Sequence, residues 1–563
     1  MVAVRAAAQS LPTIPRADVG ARILAGEHLL IYHGLVLRVP QSWLAAHPGG
    51  ETAILHYVGR DCTDEVDAFH PDDVCETIRK YAVGTLDASA LPWHPYVPPV
   101  MTGWVRKQGA DGAWSWFKEA DALIGEGDAD SLFPSSQILL VERDTLDAAH
   151  AAYPNEKGPI DSKDGPTLAL ITPGPASGLS PEIQARHSQA WHELRKRIED
   201  AGLFQCKYIR GYGPEVVRYA MLAATSIWCY KHDYIFFSAL CLGLFWQQLV
   251  FSAHDLGHAG VTHIWEIDRL ISIIIADFIG GLSIGWWVDN HNIHHLVTNH
   301  PSHDPDIQHL PFFAISPVFF KNLFSSYYKR TLYFDMFADI FIRIQHKLFY
   351  VVMAFARFNL YALSYGHLFK RAFDTRRTKG GRWAWWLEVI GLVVFWYWYG
   401  NVLANCGSWQ KALMFLLVSH AATSPLHIQI VLSHFSMSSA DLGPLESFAA
   451  RQMRTTTDVI CPRKIGFIHG GLHLQVTHHL FPRLPRHNLD DAALMVKEFA
   501  KEQGLVYAEF GFIAGNQDVL GTLRNVAEQV RVIGHVAAEE AKEAFDKKLK
   551  DSEKQCQQIE KTI

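Results

Sequence analysis

Four long apolar runs stand out after residue 210 of this chain. They cover residues 216–230, 234–253, 385–403 and 412–432, and a short polar turn separates the two members of each pair. A helix needs about 20 apolar residues to cross the hydrocarbon core of a bilayer. The pattern therefore predicts two membrane-spanning helical hairpins. In the short first run we expect Arg218 to snorkel towards the interface.

A fifth apolar run, residues 270–288, is long enough to span but contains Asp277 and the pair Gly280-Gly281. If it crossed the bilayer, the histidine clusters on its two sides would lie on opposite faces of the membrane. We therefore expect a buried or re-entrant segment, in which the polar backbone of the break is satisfied by the surrounding protein.

Charge sets the orientation of the predicted hairpins. Residues 255–382 carry many Lys and Arg, whereas the turns 231–233 and 405–411 are short and carry one Lys each. By the positive-inside rule, both termini and the central segment lie in the cytosol. The first thirty residues lack a basic stretch followed by an apolar run, so we expect no signal peptide.

The N-terminal pattern differs from the rest. Over residues 14–90, short alternating runs predict strands and two later segments predict helices separated by Pro71, which together indicate a small α+β domain. Residues 91–200 have a weak pattern with Pro and Gly concentrated between 151 and 182, which indicates a linker or insertion. Within it, residues 183–203 predict an amphipathic helix that either lies along the membrane surface or is a plain soluble helix. Residues 201–510 form the predicted membrane domain, and 511–563 a charged helical tail.

Composition narrows the chemistry. The net charge of −6 gives no sign of a nucleic-acid partner. The eight cysteines never occur as C-x-x-C, which argues against a disulfide scaffold, a thiolate zinc site or a covalently attached haem. The anomaly is histidine, with 30 residues in 563, of which nine fall between His254 and His309.

Three histidine-rich clusters lie beside the apolar runs, with the sequences H-D-L-G-H, H-N-I-H-H and Q-V-T-H-H. Residues at i, i+3 and i+4 share one face of a helix, so each cluster can direct its side chains to one point. Imidazole suits iron, copper, nickel or zinc, whereas calcium and magnesium prefer oxygen ligands. The members are His254 and His258; His291, His294 and His295; and Gln475, His478 and His479.

A separate pair lies in the N-terminal domain, in the motifs His47-Pro48-Gly49-Gly50 and Asp67-Ala68-Phe69-His70. Two imidazoles can ligate one porphyrin iron from opposite sides, which leaves no open position and favours electron transfer. Over residues 14–90 the sequence resembles the cytochrome b5 family. The resemblance implies haem b, with His47 and His70 as its axial ligands.

Acidic side chains crowd the second of these histidines. They would form either a rim that steers a basic reductase towards the haem or simply a solvated face. They are Asp61, Asp64, Glu65, Asp67, Asp72, Asp73 and Glu76.

Over about residues 200–500 the three clusters resemble the histidine boxes of integral-membrane fatty-acyl and sphingolipid desaturases. The fold this implies is an α+β cytochrome b5-like haem domain fused to an all-α membrane domain with four spans and a cytosolic helical cap. It also implies a di-iron centre that uses O2. The implied iron ligands are His254, His258, His291, His294, His295, His478 and His479.

Further residues follow from the same resemblance. Gln475 stands where many such enzymes have His, which marks the front-end subgroup, and would bind iron weakly through its carbonyl or only through water. His434 resembles an additional ligand, whereas His420 and His427 lie deeper in the run and are expected to be core residues. Asp304 and Asp306 either orient ligand imidazoles or cap a turn around Pro305.

Residues 470–486 and 300–309 are similar to fungal sphingolipid delta-8 desaturases. That resemblance implies insertion of a C8–C9 double bond into the long-chain base of ceramide. It also implies a location in the endoplasmic reticulum membrane, with the site in the cytosol, and an NADH-dependent cytochrome b5 reductase as electron donor.

Other functions stay open at this point. The nearest alternative is a front-end desaturase of fatty acyl chains, of the delta-6 or delta-5 kind, and another is a lipid hydroxylase with the same boxes. A metal transporter or a haem-linked electron carrier belongs to a different class. A transporter would place ionisable ligands inside the spans, whereas these boxes lie at the edges of the spans.

Overall fold

The structure is a computed structural model that is mostly helical. It contains one four-stranded sheet and three two-stranded sheets in the part of the chain that it describes. The described residues are 11–44, 46–87, 91–109, 111–119, 164–173, 179–373 and 381–560.

The N-terminal domain is built on the four-stranded sheet, with strand order β1-β4-β3-β2. β2, β3 and β4 pair antiparallel, while β1 runs parallel to β4. Leu29, Ile31 and Val36 are fully buried in its core. The predicted α+β domain is therefore present. Its elements are β1 Thr13–Ile14, α1 Arg16–Leu24, β2 His28–Tyr32, β3 Leu35–Val39, α2 Gln41–Leu44, α3 Glu51–Leu55, α4 Thr63–Phe69, α5 Asp72–Arg79 and β4 Ala82–Leu86.

The described parts of the predicted linker are attached to the neighbouring domains. The indole of Trp116 donates a hydrogen bond to the carbonyl of Leu24, at 2.8 Å, in the haem-type domain. Most of the remaining predicted linker, residues 120–163, lies outside the described residues. The elements here are a 3₁₀ helix Pro99–Thr102, β5 Trp104–Gln108, β6 Trp114–Lys118, α6 Leu168–Ile171 and α7 Pro181–Asp200.

Helix α7 resolves one open alternative. Its apolar face buries Trp191, Leu194 and Ile198 in a core cluster that also contains Phe448 and Phe481. Because this face is covered by the chain itself, α7 is a plain amphipathic helix packed on the domain and does not need a membrane surface to cover it.

The central part of the chain is almost entirely helical. It includes a small antiparallel pair of strands, and a 3₁₀ helix, Pro305–Ile307, follows the second histidine box. The elements are α8 Tyr208–Lys231, α9 Ile235–Gly257, α10 Trp265–Ile273, α11 Ile284–Leu296, β7 Leu323–Ser325, β8 Arg330–Leu332, α12 Met336–Ile342, α13 Gln345–Ala372, α14 Gly381–Ala404, α15 Trp409–Ala421 and α16 Ser424–Leu432.

Four helical stretches are long and apolar enough to cross a membrane: Ile235–Gly257, Gln345–Ala372, Arg382–Ala404 and Trp409–Leu432. The number agrees with the prediction, but the membership differs. Helix α8, which contains the run 216–230, does not reach the same hydropathy, whereas α13 does, although it lies in the segment predicted to be cytosolic.

The contacts of α13 show how it is placed. Near its start, the Tyr350 hydroxyl donates to Asn516, and near its end Arg371 pairs with Asp289, just before the second histidine box. Asn516 in turn follows Gly515, which packs against Leu432 beside the end of α16. Both ends of this helix, which is about 42 Å long, therefore contact elements beside the histidines. Its middle contacts the apolar helices instead, since Arg357 donates to the carbonyl of Gly280 and Tyr361 donates to His420.

The run predicted to be re-entrant turns back on itself. The helices Trp265–Ile279 and Ile284–Leu296 meet at an angle of 114°. The break between them exposes backbone carbonyls at membrane depth, and each must find a donor inside the protein. Four donors do this: Trp398 bonds Phe278, Trp246 bonds Ile279, Arg357 bonds Gly280 and Tyr365 bonds Gly281.

The C-terminal part forms a cap over the histidines, and α20 follows it. The predicted tail is helical. One face of its first part is buried, since Val519, Leu523, Val526 and Val530 lie in a core cluster. The elements are α17 Phe448–Thr455, β9 Asp458–Ile460, a 3₁₀ helix Arg463–Ile468, α18 Gln475–Leu480, a 3₁₀ helix Arg486–Asn488, α19 Leu489–Gln503, β10 Glu509–Gly511 and α20 Phe512–Glu560.

Candidate functional site

Histidines from four helices meet at one point beneath the cap. The end of α9 carries His254, and His258 follows directly after it; α11 carries three more histidines, and His434 stands just beyond α16. The short helix α18 supplies His478 and His479. Because α11 follows the re-entrant turn, the first two boxes face each other instead of lying on opposite sides of the membrane.

The imidazoles form two groups, each with ligand atoms within 4.8 Å of one another. Each group could therefore hold one metal ion. The first group is His254, His258, His291 and His478, and the second is His294, His434 and His479.

His295 belongs to neither group among the described residues, but it lies between them. It is fully buried, and its ring stacks on His479 at 4.1 Å. It also contacts His478 at 4.8 Å and His258 at 4.9 Å between ring centroids. His295 thus contacts members of both groups.

The outer nitrogens of the second group are fixed by hydrogen bonds. The Nδ1–H of His294 donates to Asp304 at 2.9 Å, and that of His434 donates to the Thr455 carbonyl at 3.1 Å. The Nδ1–H of His479 donates to the side-chain oxygen of Gln452 at 2.9 Å. Such partners fix the tautomer and turn the other nitrogen towards a metal.

The inner nitrogens lack partners. Within the described ranges, the Nε2 atoms of His254, His258, His478 and His479 are buried and form no hydrogen bond. Burial, and then the neighbouring imidazoles, hold the pKa of His258, His478 and His479 well below the usual value. Neutral rings with free lone pairs are what a metal ion requires.

Asp304 and Asp306, the two aspartates predicted to support the histidines, make different contacts in the structure. Asp304 is fully buried and does both things proposed for it, since it accepts from His294 and also from the backbone N–H of Asp306 at the start of the 3₁₀ turn. The carboxylate of Asp306 stays 3.9 Å from the nearest ring nitrogens and accepts instead from the Asn290 amide.

Gln475 and His420 differ in whether their side chains have hydrogen-bond partners. The side-chain oxygen of Gln475 is buried one turn before His478 and has no hydrogen-bond partner in the part of the chain described. His420 is satisfied within the apolar run, because its Nδ1–H donates to Leu416 and its Nε2 accepts from Tyr361. It is the core residue that its position predicted.

Some site residues were missed by sequence reasoning. Gln452 accepts from His479 and donates to the carbonyl of His295, yet no spacing rule links it to the boxes. Trp287 stacks on His291 at 4.4 Å, and its place one turn before that histidine was the only available signal.

The N-terminal pair has the geometry of a haem site. The ring centroids of His47 and His70 are 6.1 Å apart, close to the ~6 Å expected when each nitrogen is about 2 Å from one central metal. The Nδ1–H groups donate to the carbonyls of Gly50 and Val66, so both Nε2 atoms are free to bind. Burial, and then the nearby His47, lower the pKa of His70 to about 4.

The haem-type domain is seated on the metal site. Arg451 of α17 donates to Glu65 at 2.7 Å and to the Tyr57 hydroxyl at 3.0 Å. The Tyr57 hydroxyl is also 3.1 Å from the carbonyl of Leu296, which ends α11. The ring of Phe69, the residue before His70, meets His295 edge to face at 5.9 Å.

This seating uses part of the acidic rim. Three residues of α7 contact these carboxylates. Ser188 donates to Asp64, His192 is 3.0 Å from Asp64, and Arg195 pairs with Asp72. With Glu65 held by Arg451, these carboxylates bind the chain's own helices. Neither interpretation of the rim, a reductase-steering surface or a solvated face, describes the buried Asp64 and Glu65. Asp72 is exposed, as are Asp73 and Glu76, so both interpretations stay open for these three.

Comparisons with known proteins agree with this picture. The family model "Fatty acid desaturase" matches residues 234–511, and "Cytochrome b5-like Heme/Steroid binding domain" matches residues 16–87. A protein of Emericella nidulans named Delta 8-(E)-sphingolipid desaturase is 41% identical over 92% of this chain and 95% of its own length. One of the same name from Komagataella phaffii is 41% identical over 92% and 94%.

A plant protein is also similar over most of the length of both chains. Delta(8)-fatty-acid desaturase 2 of Arabidopsis thaliana is 31% identical over 87% of this chain and 88% of its own. The chain therefore belongs to the fatty acid desaturase family and carries a cytochrome b5-like domain at its N-terminal side.

Proposed function

We propose that the chain is a sphingolipid 8-desaturase, which inserts a C8–C9 double bond into the long-chain base of ceramide. The observation that carries the proposal is the convergence of seven imidazoles into two metal-sized groups, with an eighth between them, directly beneath a haem-type domain. The names of the fungal relatives support the choice of substrate.

The donor set suits two iron ions, since it consists of imidazoles, three of which have outer nitrogens fixed by hydrogen bonds. Their chemistry, when bound, is to activate O2 into an oxidant strong enough to remove hydrogen from an unactivated methylene, which no side chain can do. The proposed ligands are His254, His258, His291, His294, His295, His434, His478 and His479, with Gln475 bound weakly or through water.

The N-terminal domain delivers the electrons. His47 and His70 hold haem b, which an NADH-dependent cytochrome b5 reductase would reduce. For each ceramide, one O2, two electrons and two protons are consumed, two hydrogens leave adjacent carbons, and two waters form. We place the enzyme in the endoplasmic reticulum membrane with both termini and the metal site in the cytosol.

Expression in a yeast that lacks this activity tests the proposal. Lipid mass spectrometry with double-bond localisation should find a C8–C9 unsaturated base with the wild-type chain and none with His478→Ala, while the haem spectrum stays unchanged. His232→Ala, at the exposed turn between α8 and α9, is the matched control and should keep full activity. Activity that survives His478→Ala would show that the metal assignment is wrong.

His47→Ala tests the haem assignment separately. The variant should lose the haem absorption band and, with it, turnover driven by NADH. Persistent NADH-driven turnover without another electron carrier would exclude the internal relay.

The plant relative favours one second candidate, a desaturase of fatty acyl chains. The same lipid analysis separates the two, because that enzyme would place new double bonds in acyl chains and leave the long-chain base saturated at C8.

A further inference from the structure

The contact between Phe69 and His295 joins two sites that are far apart in the sequence. Phe69 is the last residue of α4 and precedes His70, the second residue of the haem-type pair. Its ring meets His295 at 5.9 Å between centroids with an interplanar angle of 85°. One aromatic side chain therefore fills the space between a haem-type histidine and the metal-site histidines.

The partner in this contact has a special position. His295 touches members of both metal groups, with centroid distances of 4.1 Å to His479, 4.8 Å to His478 and 4.5 Å to His291. A charge that arrives at His295 is therefore within one ring contact of either group.

The contact is also held in place. Gly49, beside His47, lies against α11, since a Cβ added there would come within 3.3 Å of the Asn292 amide. On the other side of α4, Arg451 and Tyr57 fix the domain to α17 and to the end of α11. The Phe69 ring is partly buried and packs against two core clusters. Its orientation is thus set by the seated domain.

We propose that Phe69 is the positioning residue through which electrons pass from the haem side to the metal pair, with His295 as the point of arrival. The inference rests on the proposed function. One electron crosses at a time: the ferrous haem is oxidised to the ferric state, and one iron of the pair is reduced. Two crossings serve each double bond, and the flavin reductase restores the ferrous haem each time.

The test compares three variants of the full-length, metal-loaded enzyme. Phe69→Leu keeps an apolar side chain but removes the ring, and Phe69→Tyr restores a ring. Phe204→Leu is the matched control, because Phe204 packs against the same core cluster and its described ring contact is with Phe481. Haem content, the haem absorption spectrum and the haem midpoint potential should be the same in all of them.

The deciding measurement is the rate at which pre-reduced haem is re-oxidised after mixing with O2 and ceramide, followed by stopped-flow absorption. Phe69→Leu should slow this rate about tenfold. That is a smaller effect than the loss of about 100-fold in rate that a misplacement of about 1 Å can cause. Phe69→Tyr and Phe204→Leu should stay near the wild-type rate.

A second measurement excludes damage to the metal site. When all metals are reduced chemically before O2 is added, Phe69→Leu should give the wild-type yield of product in one turnover. Unchanged haem re-oxidation in Phe69→Leu, or a loss of this single-turnover yield, would overturn the relay. Failure of the proposed function would look different, since the wild-type chain itself would then give no unsaturated base.

Discussion

Breaking the ion pair between Arg451 and Glu65 should release the haem-type domain from its seat. The two side chains are 2.7 Å apart and each is only 9% exposed. In Arg451→Met, Glu65 keeps a buried negative charge, and within the described residues the Tyr57 hydroxyl is its remaining hydrogen-bond partner. In the undocked state water solvates that carboxylate, so the penalty falls on the docked state alone.

The size of the effect follows from the burial. Removing one partner of a buried ion pair costs about 3–5 kcal/mol, because the other charge stays desolvated. That cost weakens the docking equilibrium by about 150- to 4,000-fold. Replacing both partners by apolar groups removes the uncompensated charge, so Glu65→Leu combined with Arg451→Met should recover most of the loss.

Hydrogen exchange is the assay for this prediction. Amides in residues 63–69 and 293–297, which face each other across the seat, should exchange faster in Arg451→Met and return towards wild-type protection in the double variant. Arg382→Met, at an exposed position on α14, is the control. If the single variant exchanged no faster than the double variant, the buried pair would not be what holds the domain.

Three further predictions address single side chains. Asp304→Asn removes the acceptor that fixes His294, and iron content titrated against a chelator should show about 10- to 100-fold weaker binding. Glu388→Gln removes the anion that holds Arg269 and Ser283 near the start of α11; about 3 kcal/mol of stability should be lost, measured by thermal unfolding in detergent. Burial lowers the pKa of His192, but the carboxylate of Asp64 outweighs it and raises that pKa. The interaction between His192 and Asp64 therefore stabilises the fold fully below about pH 6.5, and this stabilisation is lost as the pH rises through the raised pKa. In His192→Gln, the protection from hydrogen exchange should depend less on pH.

The grouping of the histidines could be predicted from the sequence because its information is local, whereas their role as iron ligands stays a prediction. Spacings of three and four residues bring His291, His294 and His295 to one face of α11 whatever the rest of the fold does. Gly280-Gly281 and Asp277 likewise allowed the re-entrant turn to be predicted, since a break in an apolar run needs hydrogen-bond donors from within the protein.

What the sequence did not reveal depends on contacts between distant residues. Arg451 and Glu65 are 386 residues apart, and nothing in either neighbourhood marks them as partners. Helix α13 has the length and composition of a span, yet both its ends contact elements beside the histidines, through Tyr350 with Asn516 and Arg371 with Asp289. Periodicity alone does not show which elements surround such a run.

The seating of the haem-type domain has a consequence for the physiology of the enzyme. The chain's own haem-type domain already occupies the surface formed by α7, α11 and α17. A free cytochrome b5 in the cell therefore could not dock there. Turnover should then be indifferent to how much of the free carrier the cell makes, and raising its abundance should not rescue a chain whose own haem is lost.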